Sequence, residues 1–119
     1  MSTLPPHPRL AELWRAGVEL LGTETAIMGG AMTWVSERHL VAAIAEAGGF
    51  GVIACGSMTP ELLAAEIEAT RALTDRPFGV NLIVMHPALD QLVDVCLDHQ
   101  VGHVVLAGGL PPRNAIAKI

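Results

Sequence analysis

The stretch Phe50-Gly51-Val52-Ile53-Ala54-Cys55, with Thr59-Pro60 just beyond it, decides the fold. A continuous apolar run without polar alternation reads as a strand covered on both faces, the pattern of a parallel sheet flanked by helices. Thr59 is then a helix N-cap and Pro60 the first helical position, which opens a helix to about Leu73. On the other side of the strand, Ser36 stands as an N-cap before Leu40, Val41, Ile44 and Ala47, and Gly48-Gly49 stops that helix.

The same alternation continues outward. Downstream, Phe78–Val84 is a strand, Pro87 opens a helix with Leu89, Leu92, Val93, Cys96 and Leu97 on one face, and Val101–Ala107 is a strand ended by Gly108-Gly109. Pro111-Pro112 begins a further element that runs to Ile119. Upstream, Ala26–Met32 is a short apolar run containing Gly29-Gly30, and Leu10, Leu13, Trp14, Val18 and Leu21 make Pro8–Leu21 an amphipathic helix. Strand centres near Ile27, Val52, Val80 and Val105 are spaced by 25, 28 and 25 residues. Such a βα period means parallel strands joined by right-handed crossovers. An open doubly wound sheet and a (β/α)8 barrel both satisfy it, but no Gly-x-Gly-x-x-Gly follows a strand, so the dinucleotide fingerprint is missing. The expected fold is α/β: the N-terminal half of a (β/α)8 barrel with an extra N-terminal helix. A complete barrel needs about 250 residues, so residues 1–119 read as one partial domain, of which 1–25 are an arm and helix.

Composition narrows the function. With a net charge of −5 and 3% aromatic residues, the chain has neither the basic patch nor the stacking platform of a nucleic-acid binder. At 51% hydrophobic and 16% charged it is far from a disordered chain. Its uncharged stretches, Thr25–Ser36, Ala47–Pro60, Pro77–Leu89 and His99–Pro112, reach only 12–14 residues and contain Gly or Pro. A membrane-spanning helix needs about 20. Met1–Arg9 is Pro-rich and carries no signal-peptide pattern, and Cys55 and Cys96 form no metal or redox spacing. A reducing cytoplasmic compartment is expected.

Four segments carry a resemblance: Met28-Gly29-Gly30-Ala31-Met32-Thr33-Trp34-Val35-Ser36, Ala47-Gly48-Gly49-Phe50-Gly51-Val52-Ile53, Ser57-Met58-Thr59-Pro60-Glu61 and Leu73-Thr74-Asp75-Arg76-Pro77-Phe78-Gly79-Val80-Asn81. In this order and spacing, over about Ala26 to Gly109, the chain resembles the 2-nitropropane dioxygenase family. These are FMN-dependent barrels that include nitronate monooxygenases and the FMN type of enoyl-acyl carrier protein reductase. The Gln that members often carry at the first strand is absent here. The resemblance implies FMN as cofactor, with backbone around Gly30, Ala31 and Met32 lining the flavin ring and the Asn81 side chain hydrogen-bonding it. It implies no catalytic residue in this chain, because the family's His lies in a later Gly-Gly-His motif, and no phosphate site, which follows strands seven and eight. The implied activity is oxidation of an alkyl nitronate with O2, with enoyl reduction or a non-catalytic fragment as the alternatives.

The remaining residues have plainer readings. Gly48-Gly49 is a helix cap and turn, while Gly29-Gly30 fits a tight strand end as well as a ligand contact. Trp34 reads as a core or loop anchor. Cys55, at the C-terminal end of its strand, would face the mouth of the barrel, but with no cation beside it reads as a small buried thiol; Cys96 reads as core. His86 reads as a solvated loop residue and His103 as structural, and His7, His39 and His99 form no ligand set. Glu61, Glu66, Glu68 and Arg71 read as a solvated helix face. The first and fourth strands would be open edges above a bare apolar inner face. The isolated chain is therefore expected to self-associate or to need a C-terminal half.

Overall fold

The computed structural model describes residues 7–119; the Pro-rich start through Pro6 lies outside them. The elements run α1 Pro8–Leu21, β1 Met28–Gly29, α2 Arg38–Glu46, β2 Phe50–Ala54, α3 Pro60–Leu73, β3 Phe78–Ile83, α4 Leu89–Asp98, β4 Val104–Ala107 and α5 Arg113–Lys118. The described residues form a four-stranded sheet in the order β1-β2-β3-β4, every pair parallel. Consecutive helices pack on one another, α2 on α3, α3 on α4 and α4 on α5, so α2 to α5 lie on one side of the sheet. Sequential strand order with helices on one side is barrel winding; a doubly wound sheet reverses its order part-way.

Local signals set most boundaries. The Thr59 hydroxyl accepts from the Leu62 N–H at 3.2 Å, and α3 spans the residues expected from Thr59-Pro60. Gly48, at φ +93°, ends the α2 turn as expected. Four elements differ. The N-cap of α2 is Glu37, whose carboxylate accepts from the His39 and Leu40 N–H groups, because the Ser36 hydroxyl is used elsewhere. α4 starts two residues after Pro87; His86 Nδ1 accepts from the Ala88 N–H at 3.0 Å and shapes that turn, so His86 is a structural loop residue rather than a solvated one. The strands expected over Ala26–Met32 and Val101–Ala107 are shorter, because edge strands find only one partner each.

Side chains alternate between two cores, as strand geometry requires. On the helix side, Ile53, Cys55, Val80 and Leu82 pack with Val41, Leu63, Ile67, Leu92, Val93 and Cys96. Cys55 therefore turns away from the mouth of the barrel, contrary to expectation, and is buried as a packing thiol. On the inner side, Phe50 and Val52 pack with Leu21, Ala31 and Val105. The inner face is thus not bare: Phe50 and Val52 are 0% and 1% exposed. Leu21 covers it at the N-terminal end, where His103 Nε2 meets the Leu20 carbonyl at 2.6 Å and the His103 ring lies edge-on to Phe50. The rest of the α1 stripe docks only in part: Gly17 abuts Ala26, and Trp14 and Val18 are half-buried. Leu21 is its one buried residue, and Leu13 stays 73% exposed.

Candidate functional site

In a parallel barrel, chemistry sits at the C-terminal ends of the strands, where the βα loops converge. The loop from Gly30 to Glu37, between β1 and α2, is the most structured of these. Ser36, expected as a helix cap, instead clamps this loop. Its Oγ accepts from the Met32 N–H at 2.8 Å and donates to the Gly30 carbonyl at 3.2 Å. The Ser36 N–H donates to the Met32 carbonyl, and its own carbonyl accepts from the Ala54 N–H at the end of β2. The loop then reaches over β2, since the space beside Gly56 is bounded by Thr33 Oγ1 and by Ile83 of β3.

The predicted ligand-facing residues gather at this end. Gly30 leaves the β1 ladder, and a Cβ placed there meets no atom within 4 Å. By contrast, the place of a Cβ on Gly29 is filled by Ile44 Cδ1, at 2.4 Å, so Gly29 is explained by helix packing. Met32 is half exposed, but its backbone N–H and carbonyl are both engaged within the loop. Ala31 packs on the inner core and makes no backbone hydrogen bond among the described residues. Asn81 pairs in register with Ala54 and Val105 and lies on the inner face, opposite in parity to buried Val80 and Leu82. Its carbonyl accepts from the Cys55 N–H, while its side-chain amide is partly exposed and has no partner among the described residues.

Trp34 is neither core nor anchor: it is 80% exposed at φ +66°, a left-handed conformation uncommon for a bulky residue. It borders a half-open cleft of about 290 Å³ lined by Ser36, Arg38, Ala54, Met58 and Leu62. A larger cleft, of about 430 Å³ around Arg71, Arg76 and Phe78, opens at the N-terminal end of β3, away from the loops that carry barrel chemistry.

Glu66 departs most from the sequence reading. It is buried, not solvated, and grips Arg38 through Nη2 at 2.6 Å, Nε at 3.1 Å and the backbone N–H at 2.7 Å. The Arg38 guanidinium holds its carboxyl below the usual carboxylate range. Burial pushes the Cys55 thiol up to about 11 and the Cys96 thiol up to about 12, so both are inert packing groups. Among the described residues no cluster of His, Cys, Asp and Glu is placed to hold a metal ion, and no helix is long and apolar enough to cross a membrane.

Residues 15–107 match the family model described as nitronate monooxygenase. The chain belongs to the nitronate monooxygenase family. A nitronate monooxygenase of Paraburkholderia phytofirmans is 40% identical over 105 residues, covering 84% of this chain and 28% of the relative. A Rhodococcus jostii protein named (3aS,4S,5R,7aS)-5-hydroxy-7a-methyl-1-oxo-octahydro-1H-indene-4-carboxyl-CoA dehydrogenase is 34% identical over 110 residues, covering 92% of this chain and 31% of that protein. The solved structure of FabK from Thermotoga maritima superposes with a TM-score of 0.77 at 41% identity, covering 79% of this chain and 30% of that one. The chain thus spans about 30% of the length of these relatives, and the shared part is the N-terminal barrel segment.

Proposed function

We propose that this chain is the ring-binding part of an FMN-dependent oxidoreductase that oxidises alkyl nitronates with O2. The observation that carries the reading is the end of the inner face. There, among the described residues, Gly30 opens onto free space, Ala31 keeps its backbone groups unclaimed, and Asn81 offers an unpartnered amide. A flat heterocycle with donors and acceptors on its edge fits this set: small residues admit close backbone approach, and an amide supplies both a donor and an acceptor. The residues present therefore fit the ring, whereas the anchor for its phosphate is proposed to lie in the part of the barrel that follows β4.

When bound, FMN would supply the two-electron chemistry. The Ala31 N–H would donate to a ring acceptor and the Asn81 amide would orient the ring edge. Phe50 and Val52, already sealed by Leu21, keep water from the N-terminal side of the inner face. Met32 would offer its half-exposed side chain rather than its engaged backbone. The partners proposed are the nitronate and O2, and the compartment proposed is the cytoplasm, in keeping with two free, buried cysteines.

A second reading is favoured by the 34% identity to the CoA-ester dehydrogenase over 92% of this chain. It assigns the same redox site to a CoA thioester instead of a nitronate. The test is to express the gene with any reading frame that continues beyond Ile119, load it with FMN, and compare three assays. These are oxygen uptake with propan-2-nitronate, dye reduction with a CoA thioester, and nicotinamide oxidation with an enoyl thioester. Nitronate-dependent oxygen uptake is the expected result. Dye reduction alone would move the assignment to the second reading, and a protein that retains no FMN would overturn both.

A further inference from the structure

We propose that Ser36 is a positioning residue that holds the Gly30–Met32 backbone in the shape a ligand ring requires; the proposal rests on the ring-binding reading above. Ser36 is 3% exposed, although Met32, Trp34 and Val35 around it are 51%, 80% and 52% exposed. A side chain so buried within so open a loop is held there by bonds rather than by packing. Its hydroxyl both accepts, from the Met32 N–H, and donates, to the Gly30 carbonyl, which closes a polar ring around Ala31. Its backbone N–H closes the turn onto the Met32 carbonyl at 2.8 Å, and its carbonyl, accepting from the Ala54 N–H at 3.0 Å, fastens the loop to the end of β2.

Two consequences follow. The hydroxyl satisfies the Met32 N–H and the Gly30 carbonyl, and Ala31 between them packs on the inner core with no backbone hydrogen bond among the described residues. The clamp also holds the loop on both sides of Trp34, whose left-handed backbone persists only where its surroundings over-determine it. A helix cap would direct the same hydroxyl at the first turn of α2, but Glu37 already fills that role. The hydroxyl thus acts on the loop and not on the helix.

The test uses the protein with any reading frame that continues beyond Ile119, labelled with nitrogen-15, and FMN titrated in as the probe. In Ser36→Ala the Met32 amide should exchange about ten-fold faster and FMN-induced shifts at Ala31 should show about ten-fold weaker binding, the loss expected for one buried hydrogen bond. Amides of Val52 and Val80 should keep their protection, and Ser36→Thr, which retains the hydroxyl, should restore both readouts. Where the extra methyl prevents folding, Ser36→Cys serves instead: its sulfur is a weak acceptor, so it should behave like Ala. Unchanged Met32 exchange in Ser36→Ala overturns the proposal, as does loss of protection throughout the sheet, a folded Thr variant that fails to restore the loop, or a Cys variant that behaves like Ser. If the unsubstituted chain shows no FMN shift at all, the ring-binding reading falls, and the Met32 exchange ratio alone decides whether the clamp exists.

Discussion

Replacing Glu66 with Ala should destabilise the fold more than any substitution of an exposed helix carboxylate. The Glu66 side chain is 9% exposed and its partner Arg38 is 40% exposed. Three hydrogen bonds converge on the carboxylate, two from the guanidinium and one from the backbone at the first turn of α2. Bonds to charged groups contribute about 1.5–3 kcal/mol each. They do not add, because one guanidinium supplies two of them and the open side of Arg38 regains water when the carboxylate is gone. The net cost of Glu66→Ala is therefore about 3 kcal/mol. In a domain of 119 residues each kcal/mol moves the thermal midpoint by about 4 °C, so the expected drop is about 12 °C. Glu66→Gln keeps an acceptor for the Arg38 N–H and should lose about half as much.

The same pair sets an acid limb. Arg38 lowers the folded pKa of Glu66 below its unfolded value, so the stabilisation is present above the unfolded pKa and disappears as pH falls through the folded one. Glu66→Gln should flatten that part of the stability profile. Calorimetry across pH, with a double-mutant cycle through Arg38→Ala, measures both effects. A midpoint change under about 2 °C in Glu66→Ala, or no coupling in the cycle, would refute the reasoning.

Four other outcomes are expected. A Cβ on Gly51 would sit 2.6 Å from the Val41 carbonyl oxygen while one on Gly30 meets nothing within 4 Å; Gly51→Ala should cost about 2 kcal/mol or more and Gly30→Ala under about 0.5, a contrast that urea titration resolves. With thiols pushed up to about 11 and about 12, Cys55 and Cys96 should resist a disulfide reagent at mildly alkaline pH until the chain is unfolded, and rapid labelling of the native chain would contradict their burial. On the reading proposed above, in which the phosphate anchor follows β4, the 119-residue chain alone should show no nitronate turnover, since losing even three charge-assisted bonds weakens binding by on the order of a thousand-fold; stoichiometric FMN with activity would refute this. β1 and β4 are sheet edges with unpaired backbone groups, so sedimentation at micromolar concentration should reveal dimers or larger species, and a clean monomer would show that the edges are otherwise protected.

Topology was legible because it is written in repeats. Four ties between neighbouring units join residues 28 apart, Arg38 to Glu66, Glu46 to Thr74, Arg71 to His99, and Asp90 to Lys118, close to the strand spacing that gave the parallel sheet. Thr59-Pro60 located α3 because cap and proline are both local signals. Ser36 was misassigned because a serine before a helix carries the same local signature whether its hydroxyl turns to the helix or back to the loop. Glu66 looked solvated because nothing near it in sequence reveals that Arg38 lies beside it. Cys55 was placed on the wrong face because a continuous apolar strand has no alternation to fix its parity. The α1 stripe has the helical period of a packed face, yet periodicity says nothing about whether a partner surface is present.

The glycines of the motifs that carried the family resemblance divide by cause. Gly51 lies where α2 approaches β2, and Gly79 lies where the Phe50 ring and the His103 carbonyl leave no room for a Cβ. Gly48 holds a positive φ. Each is required by the fold, so each encodes the barrel whatever chemistry the barrel performs. Gly30 is required by neither packing nor backbone conformation, and the Asn81 amide has no hydrogen-bond partner among the described residues. An unpartnered amide on a strand stabilises nothing in the sheet, and an open glycine weakens the chain through its entropy. Neither is needed by the fold, and on the reading proposed above both would serve a ligand at the mouth. The functional reading proposed above therefore rests on the few residues the fold does not need: a chain that kept only its packing glycines would keep the sheet and lose the proposed site.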